Sequence, residues 1–525
     1  MSVFYDTIVI GAGHNGLVAA AYLARAGHKV LVLERRDTVG GAAATEEVFP
    51  GFRVDTGAHR TGGLSYRIVN DLRLAHHGLE LLDADPTVFV PVVGGTPLTL
   101  WRDPRKTADA IREISSADAD AWIPFTELIG RAADFLEAAW TTTPPDVTGN
   151  DIRDLIASAK LGAKLRRLGK KDMVEVMRIL PMSIYEFLGD WFESDPVRGA
   201  LAASAVTGLC QGPMAGGTVY TLLHHHVGAG AGVIRPTRRV RGGIGRLSDA
   251  LVADCEASGS EIRTGTAVER IVVEGGHAVG VVVDRGEIRA ERVVSSVDPR
   301  RTFFDLMEPS EMEPEFARKM SNIRYKGVCA KVHLALSGLP DFTCQPGVGD
   351  HLNGVISISP SLEYVERAFD AAKYGQPSRQ PYLEVSIPSR TDPGIAPDGK
   401  HLMSIVLQYA PYTLRESTWD DAARAKLSAL AVATLAEYAP NLSSLVEASH
   451  VMTPLDLEQQ FGLSEGNIYH GEMTLDQLLF MRPVPGASRY RTPIPGLYQC
   501  GAGTHPGGGV TGVPGFNAAR EILRD

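Results

Sequence analysis

Three glycines constrain the fold of this chain more than any other feature. Gly11, Gly13 and Gly16 form a GxGxxG sequence between an apolar strand pattern at residues 7–10 and an alanine-rich helical pattern at residues 17–26. A second strand pattern at residues 29–33 completes a βαβ unit. In such a unit the first glycine permits a tight turn, the second lets the backbone approach a pyrophosphate, and the third allows close helix–strand packing. The sequence therefore predicts a dinucleotide-binding fold.

Glu34 narrows the identity of the dinucleotide. It ends the second strand pattern, about 20 residues after the glycines, where a carboxylate accepts hydrogen bonds from the ribose hydroxyls. An acid there disfavours a 2′-phosphate, and the N-terminus of the helix offers free N–H groups to the pyrophosphate. These residues predict FAD or NAD and argue against NADP.

Composition excludes other classes. The 525 residues carry a formal net charge of -10, which argues against a nucleic-acid partner because such binding depends on dense Lys and Arg surfaces. The five cysteines lack CxxC or metal-ligand spacing, which is typical of reduced thiols in a cytoplasmic protein. We expect no secretory signal, and no segment has the roughly 18 apolar residues that a membrane-spanning helix needs.

Two further segments resemble flavoprotein motifs. Residues 36–41, RDTVGG, continuing to Thr45, resemble the second fingerprint of the amine oxidase and phytoene desaturase superfamily, whose glycine pair follows the pyrophosphate towards the flavin. Residues 501–512, GAGTHPGGGVTG, form a glycine-rich segment that we call the C-terminal cap. Its glycines would let the backbone contact the flavin, and a helix starting near Thr511 would direct its positive end to a reduced flavin. The predicted cofactor is therefore FAD, held non-covalently.

Longer strings resemble one branch of this superfamily. The strings GAGHNGLVAAAYLARAGHKVLVLERR, RPTRRVRGGIGRLSDAL, SSVDPRRTFFDLM, GNIYHGEMTLDQLLFMRP and GAGTHPGGGVTGVPG are similar to phytoene desaturase-like proteins. That branch includes carotenoid ketolases and pyridine nucleotide-disulfide oxidoreductase domain-containing protein 2. The cofactor-binding residues predicted from the glycine turn, the acid and this resemblance are Gly11, Gly13, His14, Asn15, Gly16, Glu34, Arg35, Arg36, Gly40, Gly41, Ala42, Thr45, Val268, Gly501, Ala502, Val510, Thr511 and Gly512.

The chain also departs from the superfamily pattern. Ala42 replaces the arginine that many amine oxidases place after the glycine pair, so one cofactor contact must be made differently. His505-Pro506-Gly507 stands near where those oxidases place an aromatic residue beside the flavin, which disfavours amine oxidation. The sequence has neither the cysteine pair of a disulfide reductase nor a second GxGxxG for NADPH, so the expected electron acceptor is oxygen, a quinone or another carrier.

Two compositions alternate along the chain and predict its domains. Residues 104–234 are mostly helical. Residues 301–481 contain antiparallel strand patterns, which alternate at residues 327–336, 354–358, 382–387 and 401–409. The segments 1–103, 235–300 and 482–525 carry the βα patterns and the cap. We predict an α/β protein whose discontinuous, Rossmann-type FAD-binding domain is glutathione-reductase-like, with an inserted α+β substrate-binding domain.

Substrate-side candidates are histidines near an uncharged stretch. Residues 199–234 contain no Asp, Glu, Lys or Arg, which indicates buried backbone beside an apolar cavity. The three predicted catalytic residues are His59, His470 and His505, and for each we weigh an orienting hydrogen bond to the backbone or the cofactor above proton transfer. Adjacent residues on a helix point in different directions, so we predict no metal site at His224, His225 and His226.

These observations predict an FAD-dependent oxidoreductase of dehydrogenase, desaturase or oxygenase type. Its expected substrate is apolar, of isoprenoid or lipid-like character. Two alternatives stay open, namely a non-redox FAD enzyme that isomerises, hydrates or rearranges its substrate, and a regulatory protein in which FAD is structural. The sequence leaves the oligomeric state open.

A basic helical pattern raises the question of membrane contact. Lys160, Lys164, Arg167 and Lys171 recur at helical spacing, with leucines on another face. Such a helix can lie on an anionic membrane surface, although a solvated helix face is the alternative that we weigh more heavily.

Overall fold

The computed structural model describes residues 4–145, 152–230 and 232–525. Parts of the predicted segments 1–103 and 104–234, namely residues 1–3, 146–151 and 231, lie outside the described residues. The strands are β1 Tyr5–Ile10, β2 Val30–Leu33, β3 Thr45–Phe49, β4 Phe52–Asp55, β5 Leu81–Asp83, β6 Val88–Val90, β7 Leu98–Leu100, β8 Arg238–Val240, β9 Glu261–Arg263, β10 Val268–Glu274, β11 His277–Val283, β12 Gly286–Ser295, β13 Cys329–Leu336, β14 Val355–Ile358, β15 Leu383–Ser386, β16 His401–Gln408, β17 Val446–Met452 and β18 Leu497–Gln499. The helices are α1 His14–Arg25, α2 Tyr66–Asp71, α3 Pro104–Arg112, α4 Ser116–Trp140, α5 Ile152–Arg167, α6 Gly169–Ile179, α7 Ile184–Gly189, α8 Asp195–Val206, α9 Thr218–His224, α10 Gly245–Ala257, α11 Pro314–Ser321, α12 Leu362–Lys373, α13 Asp421–Ala436, α14 Leu442–Leu445, α15 Pro454–Phe461 and α16 Val513–Ile522.

The first sheet carries the glycine turn. Its seven strands pair in the order β10-β11-β12-β1-β2-β9, with β18 beside β12. Strand β1 is parallel to β2 and to the end of β12, whereas β10, β11 and the start of β12 form an antiparallel meander. This topology confirms the predicted α/β fold with a Rossmann-type sheet.

Alternation along β1 explains how the first sheet is covered on both sides. Val9 belongs to a core shared with α1, α10 and α16, while Ile8 and Ile10 belong to a second core with Phe303 and Met320. Successive side chains of a strand point to opposite faces, so a short apolar run such as residues 7–10 serves both cores. The carboxyl end of β1 is thereby fixed, and the glycine turn begins there.

A second, separate sheet is formed mainly by residues of the predicted substrate-binding domain. Its seven strands pair in the order β17-β13-β16-β15-β14-β6-β7. The predicted strands at residues 327–336, 354–358, 382–387 and 401–409 appear as β13, β14, β15 and β16. The predicted FAD-binding segment 1–103 includes the β6–β7 hairpin. In the structure Val88 pairs with Val355, so this hairpin belongs to the second sheet. The domain limits otherwise stay a prediction.

The basic pattern at residues 160–171 is divided between two helices. Lys160, Lys164 and Arg167 lie on α5, and Lys171 lies on α6 after Gly169, whose φ of +85° breaks the helix. Within the described residues, we find no helix with the length and apolar character needed to span a bilayer.

Candidate active site

A cavity of about 480 Å³ extends from the glycine turn to the second sheet. Gly11, Gly13 and Glu34 line its end at the first sheet, while Lys331 of β13 and Val406 of β16 line the other end. Ligands of open α/β sheets bind outside the carboxyl ends of the strands, which is where this cavity begins. The fold therefore brings residues from both sheets and the C-terminal cap to one space.

Most of the predicted cofactor-binding residues line this cavity. Those that do are Gly11, Gly13, His14, Asn15, Glu34, Arg35, Arg36, Gly40, Gly41, Ala42, Val268, Ala502, Val510 and Thr511. The remaining four, which lie behind the wall, are Gly16, Thr45, Gly501 and Gly512.

The three glycines of the turn have different surroundings. A Cβ on Gly16 would lie 2.2 Å from the Gly11 carbonyl oxygen, and a Cβ on Gly11 would lie 2.6 Å from Ser296 Oγ. A Cβ on Gly13 would meet no atom of the described residues within 4 Å, because this glycine faces the cavity. The structure thus assigns packing to Gly11 and Gly16 and leaves room for a ligand at Gly13.

The carboxylate of Glu34 is buried at the end of β2. Its Oε2 accepts a hydrogen bond from Ala12 N at 2.8 Å, and its Oε1 accepts one from Arg36 N at 3.0 Å. Each carboxylate oxygen has a further lone pair, so Glu34 can also accept ribose hydroxyls. These two bonds fix its orientation before a nucleotide binds.

The residues behind the wall support those on it. Thr45 Oγ1 donates to Asp55 at 2.7 Å and accepts from Gly245 N at 2.8 Å, so it ties the second fingerprint to the start of α10. A Cβ on Gly501 would lie 2.3 Å from the Ser296 carbonyl oxygen, which explains why the cap needs glycine there. Gly512 precedes α16 and packs beside Ile68 and Val18.

The predicted catalytic histidines lie in different places. His59 and His470 line the cavity, whereas His505 lies outside the lining and its Nε2 is 3.0 Å from the Ala139 carbonyl oxygen. Burial lowers the pKa of His59 and of His505 to about 4 and also lowers the pKa of His470. The three imidazoles are therefore neutral at physiological pH, which suits orientation better than proton donation.

The three consecutive histidines bond to three separate carbonyl groups. Atom Nε2 of His224 is 2.9 Å from the Gly508 oxygen, and Nδ1 of His225 is 2.8 Å from the Ser204 oxygen. Atom Nδ1 of His226 is 2.6 Å from the Leu222 oxygen. The rings thus connect α9 to the cap and to α8.

Sequence reasoning missed a cluster of charged residues on the substrate side. Glu384 of β15 lies 3.2 Å from Arg60 and 3.2 Å from His59, and it also pairs with Arg235. Lys331 lies on the same wall and donates to the Gly57 carbonyl oxygen at 2.6 Å. A charged residue inside an apolar strand pattern, as at Lys331 and Glu384, was the available signal, because such residues are rarely buried without a function or a partner.

Burial acts differently on Lys331 and Glu384. Loss of solvent lowers the pKa of Lys331 to about 8, although Asp55 and Glu384 oppose the shift. Burial would raise the pKa of Glu384, but Arg60 and Arg235 hold it well below its usual range. The wall therefore contains a fixed carboxylate and an ammonium group that titrates close to neutral pH.

Comparison with known proteins identifies the family. The family described as flavin containing amine oxidoreductase matches residues 16–523. The chain belongs to this family.

Relatives support the same assignment over the full length of the chain. The oxidoreductase is 37% identical to pyridine nucleotide-disulfide oxidoreductase domain-containing protein 2 of Rattus norvegicus, over 99% of this chain and 94% of the relative. It is 31% identical to a component of the limonene dehydrogenase of Castellaniella defragrans, with coverage of 99% and 94%. Identity to the phytoene desaturase of Fusarium fujikuroi is 25%, with coverage of 99% and 88%.

Solved structures share the fold. An oxidoreductase from Methanosarcina mazei superposes with a TM-score of 0.61 at 17% identity, covering 100% of both chains. A redesigned putrescine oxidase gives a TM-score of 0.58 at 16% identity, covering 99% of both chains. The predicted superfamily is confirmed, and the protein is an FAD-dependent oxidoreductase with a small-molecule substrate and an electron acceptor.

The geometry of the cavity fits FAD. The open space at Gly13, the oriented carboxylate of Glu34 and the partly exposed edge at Val268 are suited to the pyrophosphate, the ribose and the adenine. Ala42 stands where the superfamily often has an arginine. Its carbonyl oxygen accepts a hydrogen bond from Ala58 N at 2.6 Å. Arg36 lies nearby, donates to the Gly41 oxygen at 3.3 Å and stacks on Phe461.

Paired glycine substitutions separate folding from cofactor binding. Gly16→Ala is expected to lower the free energy of unfolding of the FAD-free protein by about 1–3 kcal/mol, because its Cβ collides with the Gly11 carbonyl. Gly13→Ala is expected to leave that free energy within about 0.5 kcal/mol of wild type but to weaken FAD binding. Urea denaturation and flavin fluorescence titration measure the two effects. Wild-type FAD affinity in Gly13→Ala would contradict the assigned pyrophosphate site.

The pKa of Lys331 predicts a pH dependence of stability. Between pH 8 and 10.5 the unfolded chain keeps a proton on this lysine that the folded chain has lost, so the free energy of unfolding rises with pH across this window. Lys331→Met removes this contribution. From pH 8 to pH 10.5, the free energy of unfolding of wild type should therefore rise by about 3 kcal/mol relative to that of the variant. Urea denaturation at several pH values tests this. Parallel curves for the two proteins would contradict it, and Lys426→Met, at an exposed position, is the control.

Proposed function

We propose that this oxidoreductase dehydrogenates, desaturates or oxygenates a largely apolar substrate held in the cavity. The observation that carries the proposal is the continuity of one cavity from the glycine turn to a wall of apolar side chains, which include Trp140, Val406, Leu457, Leu463 and Ile468. The names of two relatives, a limonene dehydrogenase and a phytoene desaturase, support an isoprenoid or lipid-like substrate.

In the proposed reaction the protein chiefly binds and orients. Bound FAD supplies the two-electron oxidation, and a C–H bond of the substrate must be held against it in a dry site. Trp140 and Ile468 exclude water from the cavity, and neutral His59 and His470 can accept or donate a hydrogen bond at the substrate. We assign these two histidines to orientation, since a base whose pKa is lowered by burial removes protons poorly at neutral pH.

Lys331 is the better proposed proton acceptor on this wall. Its pKa of about 8 leaves a neutral fraction at physiological pH, and it lines the cavity. Two main-chain oxygens, of Asp55 and Gly57, receive hydrogen bonds from its ammonium group and fix its position. A desaturation forms its double bond by loss of a hydride from one carbon and of a proton from the next. Bound FAD would take the hydride, and neutral Lys331 would accept the proton and release it to solvent.

Anaerobic mixing tests the redox function. The FAD-bound enzyme mixed with limonene or with detergent-solubilised phytoene is expected to lose its oxidised flavin absorbance, and admission of oxygen or a soluble quinone should restore it. Product formation with a flavin that stays oxidised would favour isomerisation, hydration or rearrangement. Purification of the protein without FAD under gentle conditions would contradict the proposal as a whole.

We also propose that α5 and α6 contact an anionic membrane surface, from which an apolar substrate would enter. Large exposed apolar side chains occur on these helices, with Leu155 70% exposed and Met177 60% exposed. Lys160 and Lys164 are exposed on α5 and would face lipid phosphates. Amphipathic basic helices of this kind bind membrane interfaces.

Vesicle sedimentation tests the membrane proposal. The protein is expected to sediment with phosphatidylserine-containing vesicles at low salt and to be released at high salt, since each basic residue near the surface contributes about 1 kcal/mol. The double variant Leu155→Glu with Met177→Glu should remain in the supernatant. Val348→Glu, at a site that is 65% exposed and on neither helix, is the matched control. Failure of wild type to sediment at low salt would contradict the proposal.

A further inference from the structure

One wall of the cavity has two arginines and a lysine around one buried carboxylate. Arg60, Arg235 and Lys331 line the cavity, and one carboxylate, that of Glu384, is in contact with both arginines. Glu384 and Arg235 each have a side chain that is 2% exposed, and the Arg60 side chain is 20% exposed. The two arginines therefore share one carboxylate in a place with little solvent.

Lys331 does not share the carboxylate of Glu384. Among the described residues its hydrogen bonds go to the main-chain oxygens of Asp55 and Gly57. These oxygens orient the ammonium group but do not neutralise it. Asp55 and Glu384 act on Lys331 through space and raise its pKa, so the two arginines, which share one carboxylate, are the groups that favour an incoming anion.

Arg235 offers an unused donor. Its Nη2 bonds to Glu384 and to Tyr382 Oη, whereas its Nη1 is buried and donates to no atom of the described residues. Its backbone is in the left-handed region, with φ of 52°, and His226 Nε2 accepts from Arg235 N at 3.0 Å. Strain of this kind in a non-glycine residue persists where the surroundings hold it, and it commonly marks a functional position.

We infer that Arg60 and Arg235 bind a carboxylate of an otherwise apolar substrate, with the remainder of the substrate directed along the apolar wall. The inference rests on the proposed function and specifies its substrate class. The planar fork of an arginine matches the two oxygens of a carboxylate, and the Nη1 of Arg235, free among the described residues, supplies a donor for one of them. Glu384 then orients the two arginines and keeps His59 on the same network.

The carboxylate site is separate from the nucleotide-binding end. Glu384 and Lys331 belong to β15 and β13 of the second sheet, whereas the glycine turn follows β1 of the first sheet. Charge at the nucleotide end is supplied by other residues, since Arg35 and Arg36 line the cavity there. Saturation of the enzyme with FAD is therefore expected to leave the carboxylate site available.

Calorimetric titration of the FAD-saturated enzyme tests the inference with decanoate and decan-1-ol as probes at neutral pH. The two ligands share an apolar chain and differ in charge. Decanoate is expected to bind at least about 10-fold more tightly than decan-1-ol, corresponding to about 1.4 kcal/mol. Equal affinities in the wild-type enzyme would overturn the inference, and so would loss of the decanoate preference when FAD occupies the protein.

Variants assign the preference to this wall. Arg60→Gln should weaken decanoate binding about 10-fold and leave decan-1-ol binding unchanged. Glu384→Gln should tighten decanoate binding, because it removes the anion that competes for the same guanidinium groups. Arg102→Gln, at an arginine that pairs with Asp83 outside the cavity, is the control and should bind both probes as wild type does. An unchanged decanoate affinity in a folded Arg60→Gln enzyme would overturn the inference.

The inference and the proposed function fail separately. Flavin that is bleached by limonene in an enzyme that does not prefer decanoate would retain the redox function and overturn the carboxylate site. A clear preference for decanoate in an enzyme whose flavin catalyses only isomerisation would retain the site and contradict the redox function.

Discussion

The site depends on one buried guanidinium group. Arg482 is 2% exposed and donates to five main-chain oxygens, which belong to Tyr469, Gly471, Glu472, Gln477 and Ala502. The first four lie in the loop that brings Tyr469 and His470 to the cavity, and Ala502 lies in the C-terminal cap. Burial lowers the pKa of Arg482 to about 10, so the group keeps its charge at neutral pH. Six charge-assisted bonds to these five oxygens hold the loop and the cap together as one wall.

Ser296 makes the matching connection on the other side of the cavity. Its hydroxyl donates to the Ile10 and Gly11 carbonyl oxygens at 2.8 and 2.9 Å, and its own carbonyl oxygen would lie 2.3 Å from a Cβ on Gly501. The N-terminal turn and the cap therefore close on the end of β12. This explains why glycine positions almost 500 residues apart act together: each one allows the backbone to approach the same serine.

The sequence predicted the parts of this molecule that local pattern determines. Glycine spacing predicts the turn at residues 11–16. Apolar patterns over a few residues predict the strand of residues 7–10 and four strands of the second sheet. The β6–β7 hairpin falls in the segment 1–103 that the sequence predicts for the FAD-binding domain, because no local pattern shows that its partner is β14, which begins at Val355. The charged wall is not predicted because its residues are far apart in the sequence. His59 and Glu384 are 325 positions apart, and no spacing pattern connects them. His505 was expected at the cavity, yet its ring bonds to Ala139 of α4 instead.

The charge of the wall follows from how burial acts on each side chain. Loss of solvent makes the histidines neutral and lowers the pKa of Lys331 to about 8. A guanidinium group keeps its charge, because an arginine ordinarily titrates far above physiological pH. Removal of a hydride from a substrate builds positive charge, which such a wall would oppose. A carboxylate bound between Arg60 and Arg235 offsets that charge while its chain lies along the apolar side. The same arrangement therefore suits an apolar acid better than a neutral hydrocarbon, and Glu384 keeps the arginines in place between turnovers.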